Sequence, residues 1–61
     1  MTIEYIWNNG TVKQRTDLLR SIYGDSYIMF ASDISKDWNG IPYGVQRRLE
    51  RLNDVLKARN K

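Results

Sequence analysis

The sequence predicts a small α+β fold, a single domain over residues 1–61 in β-α-β-α order, with a two-stranded sheet packed against an N-terminal helix and a long C-terminal amphipathic helix. Three observations predict it. Residues 2–7, TIEYIW, alternate, with Ile3, Tyr5 and Trp7 on one side and Glu4 and Ile6 on the other, the period-2 pattern of a strand with one better-buried face. Residues 26–31, SYIMFA, are a short, β-prone, nearly all-apolar run between polar neighbours, as expected of a strand covered on both faces. From Tyr43 to Ala58, Val45, Leu49, Leu52 and Leu56 recur at spacings of four, three and four, with Val55 at the edge of the stripe, which marks an amphipathic helix. The alternative architecture is a mostly helical domain with an N-terminal hairpin.

Each element has its own punctuation. Asn8, Asn9 and Gly10 end the first strand, because Asn and Gly tolerate the positive φ of turns. Read as a hairpin loop, Asn9-Gly10 would set Trp7 against Val12 and Glu4 against Arg15. The helical reading of the next segment is stronger. Thr11 to Gln14 fits a capping box, and Val12, Leu18, Leu19, Ile22 and Tyr23 share one arc of a helix while Lys13, Asp17, Arg20 and Ser21 share the other. Arg15 intrudes on the apolar arc, and Gly24 supplies the stop. After the second strand, Ser32 or Asp33 caps a brief helix that sets Ile34 and Trp38 one turn apart. Asn39-Gly40 ends it, and Pro42 stands where the final helix tolerates a proline. An exposed sheet edge would offer a route to a homodimer. Arg59-Asn60-Lys61 reads as a frayed end.

At 61 residues the domain buries only about 60% of the surface its unfolded chain exposes. The chain has no Cys and no His, so neither a disulfide nor a zinc site staples it. Seven aromatics and the aliphatics must supply the core, or a second copy must complete it. The longest apolar run, Tyr27 to Ala31, falls far short of the roughly 20 residues of a membrane span. No basic leader followed by an apolar stretch opens the chain, and a cytoplasmic location is expected.

The same inventory argues against catalysis. Enzymes near neutral pH lean on His and Cys as base, nucleophile or metal ligand, so a non-enzyme with no cofactor and no metal is expected. Asp33 and Asp37 stand four residues apart and would suit a shared cation or an acid-base pair, but Asp near a helix start is explained by the free N–H groups there. Glu50 and Asp54 each lie within a turn of an arginine. The glycines match neither the dinucleotide fingerprint nor a P-loop.

Charge is lopsided. Residues 1–41 hold four basic and five acidic side chains, net −1, and residues 42–61 hold six basic and two acidic ones, net +4. The basic character belongs to the last helix, where Arg47 and Arg51 lie opposite the core stripe, Lys57 and Lys61 flank them, and Arg48 and Arg59 share a border. Arg47 has Glu50 within reach, and Arg51 and Lys57 have Asp54, but Arg48 and Arg59 have no carboxylate three or four residues away. Trp38 and Tyr43 bracket the turn beside this helix, suited to stacking on a base, to an interface or to the core. SDISKDWNGIPYGVQRRLERL resembles a helix-turn-helix in Gly40-Ile41 at the turn and Leu49 and Leu52 behind the second helix, and departs from it at Lys36, Asn39 and Val45.

The sequence therefore points to a small regulatory nucleic-acid-binding protein, for DNA or RNA, with Arg47, Arg48, Arg51, Lys57 and Arg59 on phosphates and Trp38 and Tyr43 at the interface. The alternative is a phage- or plasmid-type protein-binding or inhibitor module that docks on an acidic protein surface through arginine and aromatic side chains.

Overall fold

The computed structural model describes residues 2–59. It is a small all-α domain measuring 34 × 23 × 21 Å, with three α-helices, α1 (Ile3–Asn9), α2 (Val12–Tyr23) and α3 (Tyr43–Arg59), and two 3₁₀ segments, Gly24–Ser35 and Trp38–Gly40. No strand occurs among the described residues, so the expected two-stranded sheet is corrected at both places. The sheet-edge route to a homodimer falls with it. The alternative architecture is right in being mostly helical but wrong in its hairpin. Asn60 and Lys61, part of the expected frayed end, lie outside the described residues.

The first correction turns on a window that fits two periods. Ile3 and Trp7 are buried, Ile6 is half-buried and Tyr5 is exposed, so the face that matters repeats at three and four residues and not at two. Thr2 caps this helix by accepting from the Tyr5 N–H at 3.2 Å. Gly10 closes it, its N–H bonded to the Trp7 carbonyl at 3.2 Å. A Cβ at Gly10 would stand 2.8 Å from the Ile6 carbonyl oxygen, which is why the close approach needs glycine.

α2 begins with the expected capping box. Thr11 Oγ1 accepts from the Gln14 N–H at 3.2 Å, and Gln14 Oε1 accepts from the Thr11 N–H at 2.8 Å. Leu19 is buried, Leu18, Ile22 and Tyr23 are half-buried, and Val12 projects into solvent. At Gly24 the backbone turns to φ +61°, a conformation that glycine adopts without a Cβ penalty. The chain then continues as 3₁₀ turns where the second strand was expected. Tyr27, Phe30 and Ile34 face inward at helical spacing, whereas Ile28 and Met29 are exposed. Phe30 interrupts the turns with φ −113° and ψ 15°.

The brief helix expected from Ser32 or Asp33 to Trp38 is likewise corrected. The 3₁₀ segment stops at Ser35, Lys36 is extended, and Asp37 caps a new turn by accepting from the Gly40 N–H at 2.9 Å. This connection is sewn to its neighbours. The Trp7 indole N–H donates to the Lys36 carbonyl at 2.9 Å, the Trp38 N–H donates to Asn8 Oδ1 at 2.8 Å, and Gln46 Nε2 donates to the Trp38 carbonyl at 2.7 Å. Pro42 precedes α3 and its carbonyl accepts from the Val45 and Gln46 N–H groups.

The core gathers Ile3, Trp7, Leu19, Trp38, Ile41, Val45 and Leu49. Only the first half of α3 is therefore anchored. Beyond Leu49 the stripe continues through half-buried Leu52 to exposed Val55 and Leu56, which run past the elements that would cover them. No helix of the described residues is long and apolar enough to cross a membrane.

Candidate nucleic-acid interface

The basic side chains divide into those the fold uses and those it leaves outside. Arg15, the misfit of the apolar arc, belongs to the first group. Its Nε donates to the Trp7 carbonyl at 2.8 Å, one terminal nitrogen donates to the Ile34 and Lys36 carbonyls at 2.7 and 3.1 Å, and the other donates to the Asn8 carbonyl at 3.3 Å. The guanidinium also lies 5.2 Å from the Trp7 ring centroid. Arg15 thus fastens the end of α1 to the end of the long 3₁₀ segment through backbone carbonyls of both.

Arg47, Arg48, Arg51 and Arg59 belong to the second group. All four are exposed on α3, and at 3.6 residues per turn they fall within about a third of the helix circumference. Gly44, Val55 and Ala58 share that sector, and Glu50 and Asp54 lie outside it. The ion pairs that the spacing allowed, Arg47 with Glu50 and Arg51 with Asp54, do not form. Among the described residues the one ion pair is Lys36 with Asp33, at 3.0 Å.

Two of these arginines are seated on rings. The Arg48 guanidinium lies 5.2 Å from the Tyr23 ring centroid, and Tyr23 stacks on Phe30 with centroids 4.1 Å apart and planes 14° from parallel. Arg47 lies 6.0 Å from the Tyr43 centroid. Such contacts hold a guanidinium in place without neutralising it. Between α2 and α3 an open hollow is lined by Ile22, Leu52 and Val55, with Arg48 and Arg51 at its edge.

The structure does not bring every expected residue together. Lys57 is exposed on the other flank of α3, at a hollow it shares with Glu4, Glu50 and Asp54. Trp38 is 7% exposed and packs in the core, so its ring is not offered to a ligand, whereas Tyr43 is 71% exposed. Lys61 lies outside the described residues. The helix-turn-helix resemblance is weakened, because 3₁₀ turns and an extended Lys36 stand where that motif carries its first helix.

Sequence reasoning overlooked Tyr23 as the seat of Arg48, taking it as one more core position. It also overlooked Arg20, which is exposed on α2 with its guanidinium 5.5 Å from the Tyr27 ring centroid. The Arg20 to Tyr27 spacing of seven residues would signal such a pair only if the chain turned helically past Gly24.

The acidic pair Asp33 and Asp37 is taken up structurally. Asp33 is buried and accepts from Lys36 Nζ, and Asp37 caps the turn that follows it. No group of three potential metal-ligating side chains is found among the described residues. Comparison of the chain with protein-family models, with curated proteins and with solved structures finds no match.

Proposed function

We propose that the protein is a small, non-catalytic, cytoplasmic nucleic-acid-binding protein of regulatory type, with Arg47, Arg48 and Arg51 on backbone phosphates and Arg59 in support. The observation that carries this reading is the carboxylate-free sector of α3, in which four exposed arginines stand without an ion pair among the described residues. Guanidinium forks match phosphate oxygens, and each phosphate neutralised releases counterions. Lys57, set on the flank with Glu50 and Asp54, adds to the field rather than to the contact. The test is a gel shift at low salt with labelled DNA and labelled RNA. The protein retards at least one of them, and Arg47→Glu combined with Arg51→Glu abolishes retention while leaving the helical circular-dichroism spectrum unchanged. Absence of any retention at low salt contradicts the reading.

A second reading has one observation in its favour. The hollow of Ile22, Leu52 and Val55 edged by Arg48 and Arg51 would suit an acidic protein surface carrying an apolar anchor. Such docking tolerates salt better than phosphate binding does and depends on Val55, so the uncharged truncation Val55→Ala separates the two.

A further inference from the structure

We infer that the nucleic acid this surface takes is single-stranded, with Tyr43 stacking an unpaired base next to phosphates held by Arg47 and Arg51. This rests on the proposed function and names its ligand more narrowly. Tyr43, Arg47 and Arg51 stand four residues apart along one outer line of α3, so successive side chains are about one helical turn apart. Tyr43 is the most exposed aromatic ring of the described residues. Trp7 and Trp38 are buried, Tyr23, Tyr27 and Phe30 are half-buried, and Tyr5, the other open ring, lies on α1.

At 71% exposure the Tyr43 ring contributes little to the core, and the Arg47 guanidinium lies 6.0 Å from its centroid. A ring presented this way has nothing to stack on in a duplex, whose bases show only their edges in the grooves. An unpaired base offers its whole face, and aromatic rings set along a basic surface are how single strands are held without regard to sequence.

The experiment is fluorescence anisotropy of a labelled oligonucleotide of about fifteen nucleotides, as a single strand and as the matching duplex, titrated with the full chain at one fixed low salt concentration. The single strand binds about tenfold or more tighter than the duplex. Tyr43→Ala weakens single-strand binding about tenfold with little effect on the duplex, Tyr43→Phe restores it, and Arg47→Gln weakens both. Thermal melts of each variant confirm folding. Equal affinity for strand and duplex, or single-strand binding unmoved by Tyr43→Ala, overturns the inference while phosphate binding stands. Absence of binding to either form overturns the proposed function as well.

Discussion

Four backbone carbonyls from two chain segments meet the Arg15 guanidinium, and no other residue type carries enough donors in one plane to serve them. Arg15→Gln is expected to cost about 2 kcal/mol, the scale of charge-assisted hydrogen bonds lost at a half-buried site, and Arg15→Lys nearly as much because an ammonium cannot reproduce the fork. Urea denaturation measures both. Arg47→Gln, in solvent, should leave stability unchanged. The sequence showed Arg15 as a charge on an apolar arc, and that conflict was the legible sign of a special role. Its partners were not legible, since they are backbone carbonyls of two segments that only the fold brings together. Trp38 and Tyr43 show a similar limit. Both flank the same turn, but the bonds to Asn8 and from Gln46 fix the Trp38 backbone with its ring inward, and nothing in the local pattern tells it from Tyr43.

At the scale of elements, local chemistry was readable where capping or long periodicity governed and misleading where a short window carried two periods. The Thr11 to Gln14 box formed as expected, and Thr11→Ala should destabilise by about 1 kcal/mol. The last helix, expected from Tyr43 to about Ala58, runs to Arg59. TIEYIW satisfies alternation and helical spacing alike, and six residues are too few to choose between them. SYIMFA looked like a strand buried on both faces because its residues are apolar. Burial is instead selective, with Tyr27 and Phe30 turned in and Ile28 and Met29 turned out. Gly24 stops α2 as expected, serving as its C-cap, and the chain turns there into the 3₁₀ segment. Gly24→Ala should cost about 1–3 kcal/mol, since its φ of +61° with ψ of −138° is a region that residues with a Cβ avoid. A thermal melt followed at 222 nm checks both substitutions.

Across the whole molecule, stability and binding sit in different parts of one helix. Leu49 is fully buried and Leu56 is 46% exposed, so Leu49→Ala should cost about 2–5 kcal/mol and Leu56→Ala less than about 1, although both belong to one sequence stripe. The sequence could not show where the stripe loses its cover, because that depends on how far the other elements reach. The charge asymmetry was legible at once. What only the fold adds is that Arg47 and Arg51 do not pair with Glu50 and Asp54 and that Lys57 shares a hollow with Glu4 and those two carboxylates. The salt dependence of oligonucleotide affinity tests this division most directly. Four arginines on phosphates give a slope of about −3 for the logarithm of the binding constant against the logarithm of salt concentration on a single strand, and Arg47→Glu with Arg51→Glu removes binding without lowering Tm. Affinity that does not fall with salt, or a double variant that binds as well as the parent chain, would contradict it.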